Sequence, residues 1–272
     1  MLKTRVVTAV VLLAIMLAVL LSGSQLAFVL ALTAFHAAAA WECMRLFGIR
    51  HALLGAAIWT VLFLLVLFQF KAFQMQMLFA LCAALWAIRF APALGLGLPP
   101  LSGLPNRLLG LTYALAVLGC FAALAILYRV SGIYLFSAMA LVWVADIGAY
   151  FAGRQFGRRK LAPSISPGKS WEGALGGLLC VLLLGVAAWM TPQLSDTFPA
   201  VVGQRWGAPG LIGVLTLLSA ASVVGDLFES MLKRRAGMKD SSNLLPGHGG
   251  VLDRIDALVP VLPLAVLISS GL

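Results

Sequence analysis

Residues 226–256, DLFESMLKRRAGMKDSSNLLPGHGGVLDRID, hold five of the chain's nine acids and five of its nineteen bases. Elsewhere the 272 residues are mostly apolar, 62% hydrophobic and 10% charged. Ionised groups near a bilayer are costly unless paired or metal-bound. The gathering of Asp226, Glu229, Asp240, Asp253 and Asp256 beside Lys233, Arg234, Arg235, Lys239 and Arg254 therefore points to chemistry. Asp226, Glu229, Ser230 and Lys233 recur at i, i+3, i+4 and i+7, one stripe of a helix. Lys233 and Arg234 also suit a helix C-terminus through the dipole. A turn with Pro246, Gly247, His248, Gly249 and Gly250 follows, and its glycines allow backbone to approach a phosphate. Asp253, Arg254 and Asp256 come next, at an expected helix start. Carboxylates there can serve the dipole; facing Asp226 across a helical hairpin, they also make an oxygen-rich site for a hard cation such as Mg²⁺.

Two further constellations share this character. Asp146, Tyr150 and Gly153 lie on one helical face in VADIGAYFAGRQFGRRK, where Asp146 either pairs with a base such as Arg154 or supports a site. In LAPSISPGKSWEG, residues 161–173, the GKS triplet is not a phosphate-binding loop: Pro163 stands where that pattern needs glycine, and no strand is expected before it. What remains is a turn bearing Ser166 and Lys169, with Ser170 as the N-cap of a helix whose free N–H groups favour an anion. Gly173 and Gly177, spaced GxxxG, predict close helix packing.

The elements that must hold these groups are membrane helices. A soluble domain carries about 25% charged residues, and a spanning helix needs roughly 20 apolar ones. Nine candidate spans fall near 5–22, 25–44, 52–70, 73–91, 108–128, 132–153, 173–190, 208–232 and 252–271, joined by longer connections at 92–106 and 191–207. The runs do not alternate in period two, so an all-α polytopic bundle is expected rather than a barrel. The first segment reads as a retained helix rather than a cleaved signal, because a short polar turn leads straight into another apolar run. With the N-terminus in the cytoplasm, 16 of the 19 bases fall on that side and only Lys71, Arg129 and Arg205 outside. The net charge of +10 then becomes a property of one face, attractive to anionic headgroups and nucleotide phosphates. Cys43, Cys82, Cys120 and Cys180 read as small hydrophobes, and His36 and His51 as packing residues. His248 reads as a phosphate donor.

Ser230, Lys233, Arg234, Lys239, Asp240, His248, Gly249, Gly250, Asp253, Arg254 and Asp256 together fill every position of a signature that resembles the bacterial phosphatidate cytidylyltransferase (CDP-diglyceride synthase) family. The resemblance extends to the Asp146 helix and to SPGKSWEG, covering about residues 140–260, with Gly168 and Ser170 in place of the commoner Lys and Thr. It implies conversion of CTP and phosphatidic acid to CDP-diacylglycerol and pyrophosphate, in phospholipid biosynthesis at the bacterial inner membrane. It also implies Mg²⁺ on Asp226 and Asp253, with a monovalent cation as a companion. Lys233 and Arg254 would join these two acids in catalysis. Phosphates would be held by Ser166, Lys169, Ser170, Ser230, Arg234, Lys239 and His248 with Gly249 and Gly250, while Asp240 and Asp256 orient neighbouring bases and Asp146 and Glu229 support the site.

Membrane lipids surround such a chain, no nucleic acid is expected, and a homodimer is one assembly it allows. The organisation expected is an N-terminal region of five helices, 1–130, followed by a catalytic region of four, 131–272, with polar cytoplasmic loops. Two rivals make different predictions. A CTP-dependent polyprenol or lipid kinase would attack the γ-phosphorus, and an ion-coupled transporter would place its acids near the midplane between repeats, which this sequence does not display.

Overall fold

The computed structural model describes residues 2–271. Its frame is helical: α1 (Leu2–Leu21), α2 (Gln25–Leu46), α3 (Ala52–Gln69), α4 (Ala72–Leu85), α5 (Ala91–Leu96), α6 (Gly103–Val130), α7 (Gly132–Phe156), α8 (Trp171–Met190), α9 (Phe198–Arg235), α10 (Leu252–Ile255) and α11 (Leu258–Ser270). Short polar side chains start several of these. Ser24, Ser131 and Ser170 each accept an N–H from the first turn of α2, α7 and α8, satisfying donors that a helix leaves free.

Helix α6 lies at the centre, with Leu109, Tyr113, Val117, Cys120 and Phe121 buried. Between α4 and α5, Trp86–Phe90 forms a π-helical turn. Its extra residue per turn lets Trp86 and Phe90 both reach Phe228 of α9, at ring-centroid distances of 5.6 and 4.9 Å. That aromatic floor lies beside Glu229 in the chain. Helices α7 and α8 meet through small residues as the GxxxG spacing predicts: a Cβ on Gly173 would come 2.8 Å from the Ala149 carbonyl, and one on Gly177 would strike that of Ala145. Cys43, Cys82 and Cys120 are free and buried, and Cys180 is free and half-buried.

Several expectations need correction. Of the nine spans expected, seven fall on helices that among the described residues are long and apolar enough to cross a membrane (α2, α3, α4 through α5, α6, α7, α8 and α9), and the first falls on α1, a helix of 20 residues. The expected ninth, 252–271, divides into α10, a turn, and the 13 residues of α11. At 1.5 Å per residue α11 reaches roughly 20 Å, short of a bilayer core. The connection expected over 191–207 is helical from Phe198; α9 breaks at Gly207 (φ 65°), just ahead of Pro209, and resumes beyond that kink. The stretch expected to be a turn without a strand is a small antiparallel hairpin, β1 (Lys160–Ala162) against β2 (Ser166–Ser170). Lys169 therefore sits on a strand that runs directly into α8.

Candidate active site

Four segments converge: the last turns of α9, the loop from 239 to 251 with α10, the β2–α8 junction, and the inner face of α7. On α9 the predicted stripe is present, graded by burial. Asp226 is half-buried, Glu229 is fully buried, and Lys233 is 9% exposed. Lys233 Nζ lies 3.3 Å from Glu229 Oε1 and 2.6 Å from Asp253 Oδ1, tying α9 to α10. A cation between two carboxylates satisfies charges that neither acid could keep alone in a dry interior.

Asp253 is held on both oxygens. While Oδ1 meets Lys233, Oδ2 accepts the Ser241 N–H (2.8 Å), the Ser241 hydroxyl (2.9 Å) and the Gly250 N–H (2.8 Å). Burial opposes its ionisation, yet the Lys233 ammonium and these N–H groups outweigh that and hold the carboxyl below its usual range. Glycine is required beside it: Gly249 has φ 81°, and a Cβ there would come 2.7 Å from Asp253 Oδ2. Asp256 lies in the turn after α10 and accepts the Ala257 N–H at 2.7 Å. Burial and the charge of Asp226 push its carboxyl up.

Asp226 is held differently. It forms an ion pair with Lys169 at the β2–α8 junction and receives a long 3.4 Å contact from the Ser230 hydroxyl. Ser170 caps α8 through the Gly173 N–H at 3.1 Å. Glu172 accepts the N–H groups of Arg158 (3.0 Å) and Arg159 (3.2 Å), fixing the hairpin against the helix start. Thus Lys169 joins the α9 acids, while Ser170 is engaged in capping. Ser166 is half-buried at the start of β2.

The remaining predicted residues lie around this centre. Arg234, Lys239, Asp240 and Arg254 are exposed, and Arg234 donates only a long 3.4 Å bond to the Met238 carbonyl. The glycine turn is closed by a bridge between Leu245 and Gly249 and by the His248 N–H on the Leu245 carbonyl, 2.8 Å. The His248 ring is half-buried, and its Nδ1 has no hydrogen-bond partner among the described residues. Asp146 is exposed and makes no ion pair with Arg154 among the described residues.

Asp146 instead lines a cavity of about 500 Å³, together with Asp253, Arg254 and Asp256. Its other walls are apolar and come from both halves of the chain, including Phe28 and Leu32 of α2, Phe121 of α6, and Met139, Val142 and Trp143 of α7. Thr8 of α1 donates to the Pro246 carbonyl at 2.8 Å, so the first helix reaches the glycine turn. Sequence reasoning missed these walls, along with Ser241, Ser242 and Glu42. Glu42 left a signal, since it is the only acid in the first 145 residues and stands inside an expected span.

A polytopic helical protein with this centre, where clustered acids and bases open onto an apolar cavity of lipid size, is a membrane enzyme suited to an anionic amphiphile. The chain belongs to the cytidylyltransferase family, whose sequence profile matches residues 3–270. It is 37% identical to the phosphatidate cytidylyltransferase of Haemophilus influenzae over 97% of this chain and 96% of that protein. It is 40% identical to the phosphatidate cytidylyltransferase of Pseudomonas aeruginosa over 100% of this chain and 98% of the relative. A phosphatidate cytidylyltransferase of Bacillus subtilis is 42% identical over 48% of this chain and 45% of its own length.

Proposed function

We propose that the protein is a phosphatidate cytidylyltransferase, which joins CTP and phosphatidic acid into CDP-diacylglycerol and releases pyrophosphate. Beyond family membership, the observation that carries this reading is the cavity: apolar along α2, α6 and α7, and polar where Asp146, Asp253, Arg254 and Asp256 meet it. An acyl chain and a phosphate headgroup need that division in that order.

In the reaction a phosphate oxygen of the lipid attacks the α-phosphorus of CTP, and the bond from that phosphorus to the bridging oxygen of the β-phosphate breaks. The nucleophile is already ionised, so no general base is required. The difficulty is repulsion between two polyanions, and exposed bases reduce it. Arg254, at the polar end of the cavity, is placed for the lipid phosphate, while Arg234 and Lys239 have side chains free to reach the triphosphate. His248 and the backbone at Gly249 add donors at the turn. Lys169 shares its charge with Asp226, so nucleotide phosphate would compete for it. Lys233 is committed to Glu229 and Asp253, and its part is to hold α10 against α9.

The residues fit a divalent cation. Five carboxylates (Asp146, Asp226, Glu229, Asp253, Asp256) gather with Lys169, Lys233 and Arg254, and Glu229 Oε2 lacks a hydrogen-bond partner among the described residues. Among the described residues no three His, Cys, Asp or Glu side chains form a closed cage. That suits Mg²⁺, which is commonly held by one or two carboxylates, waters and substrate phosphates. Asp226 would contribute directly and Asp253 through Oδ1, whose one partner among the described residues is Lys233. Bound there, Mg²⁺ would neutralise charge on the departing pyrophosphate.

The multi-pass chain is proposed to lie in the bacterial inner membrane with this site facing the cytoplasm, supported by the 16-to-3 division of bases. Cysteines introduced at Arg158 and Gly237 are expected to resist an impermeant reagent applied from the periplasm; labelling from that side would reverse the orientation. For the reaction, CTP labelled at the α-phosphorus should pass label into chloroform-soluble lipid, while γ-labelled CTP should leave it in water. Lipid labelled only from the γ-phosphate would replace this reading with a kinase.

A further inference from the structure

Glu42 is fully buried on α2, far in sequence from the signature, and has four hydrogen-bond donors within reach. Oε1 takes the Ser242 hydroxyl (2.5 Å) and the Val251 N–H (3.0 Å), while Oε2 takes the Leu252 N–H (2.6 Å) and lies 3.2 Å from the Ser241 hydroxyl. The donors belong to the two ends of one loop, so a single carboxylate draws residues 241–242 and 251–252 together. Ser241 then passes the constraint on, giving both its N–H and its hydroxyl to Asp253 Oδ2. A hydroxyl has one proton, so Ser241 Oγ serves Glu42 or Asp253 but not both at once. Gly250 fills the gap between them: a Cβ there would lie 2.6 Å from Glu42 Cδ and would overlap Ser241 Oγ.

Glu42 makes no ion pair among the described residues. A buried charge held by hydrogen bonds alone is an expensive way to pack a helix, and an apolar side chain would fill the same space at less cost. The cost is compensated only if the loop must be held in one place. We propose that Glu42 is a positioning residue for cytidylyl transfer, clasping the signature loop from α2 and setting Asp253 through Ser241. The proposal rests on the transferase reading for its kinetic part and on geometry alone for the clasp.

The test compares the purified full-length chain with Glu42→Gln, Ser241→Ala and Ser242→Ala. Glutamine keeps the shape but turns one oxygen into an amide that must face the Val251 or Leu252 N–H, and neither N–H can accept. In Glu42→Gln the amides of Val251 and Leu252 should exchange hydrogen for deuterium faster. Its kcat should fall roughly 10–100-fold, as for partners that orient a metal-site ligand, with KM for phosphatidic acid unchanged. Ser241→Ala should show the same split, and Ser242→Ala, whose hydroxyl meets Glu42 and the Leu244 N–H but not Asp253, a smaller loss. Wild-type kcat or unchanged exchange in Glu42→Gln overturns the proposal, as does a parallel loss of kcat and of affinity for both substrates. If Glu42→Gln does not fold, Ser241→Ala decides: wild-type kcat there overturns the link to Asp253. Failure of the wild-type chain to move α-label would remove the transferase reading alone, because amide exchange reports on the clasp whatever the reaction.

Discussion

Asp226 and Asp253 serve one centre but are held by different physics. Asp226, half-buried on α9, has an ion pair with Lys169 from a neighbouring hairpin and a long hydroxyl contact. Asp253, buried on α10, has an ammonium on one oxygen and three loop donors on the other. The first arrangement can exchange partners when a substrate arrives, because one part-exposed lysine and a long hydroxyl contact are all that must give way. The second is rigid, since displacing Asp253 would strand several buried donors, each costing about 1–3 kcal/mol. A site that brings two polyanions together gains from both: one acid to adapt and one to keep the geometry.

The comparison can be broken at its strongest point by neutralising each acid. Asp226→Asn and Asp253→Asn are both expected to abolish label transfer, because an amide keeps the shape but loses the charge that the proposed divalent cation would need. They should separate in thermal stability. An amide at Asp253 must turn its NH₂ toward Lys233 or the loop donors, so the melting temperature in detergent should drop, whereas Asp226→Asn should melt near wild type. Equal melting of the two would mean that Asp253 is no more rigidly held than Asp226.

Removing the shared cation comes next. Lys233→Ala leaves Glu229 and Asp253 buried without their base, and breaking such a pair costs about 3–5 kcal/mol; denaturant unfolding of the variant would read it. Gly250→Ala tests the rigid side by crowding, with overpacking expected at about 1–3 kcal/mol and reduced turnover. The smallest stability effect belongs to the adaptable side. Lys169→Ala removes an ion pair whose side chains are 28% and 26% exposed, for which solvent screening leaves about 0–1 kcal/mol. Its effect should instead surface as a raised KM for CTP, and an unchanged KM would remove Lys169 from nucleotide binding.

Much of this centre is legible in the chain. The i, i+3, i+4, i+7 stripe of Asp226, Glu229, Ser230 and Lys233 follows from helical period alone, and the Ser170 cap and the small-residue contact of α7 with α8 follow from local rules. The polar loops are less readable. The 160–170 hairpin has only three- and five-residue strands, too brief for a periodic signal. The expected span over 252–271 fails because apolar composition records burial, and the site occupies length that a spanning helix would use. Partner choice is the least readable of all, since Lys233 could serve the dipole, Glu229 or Asp253 on sequence grounds, and the fold gives it both acids.

By itself the sequence determined that this is a helical membrane protein, where its acids and bases gather, and which of them share a turn of helix. These depend on composition and on contacts within a few residues, where covalent geometry leaves little freedom. Only the tertiary structure decided that Glu42 of α2 grips a loop some 200 residues away, that α1, α2, α6 and α7 wall the cavity, and that Asp253 is held on both oxygens while Asp226 has one ion pair and one long contact. A hydrogen bond carries no mark in the chain of which distant donor will meet it, and only packing supplies the partner.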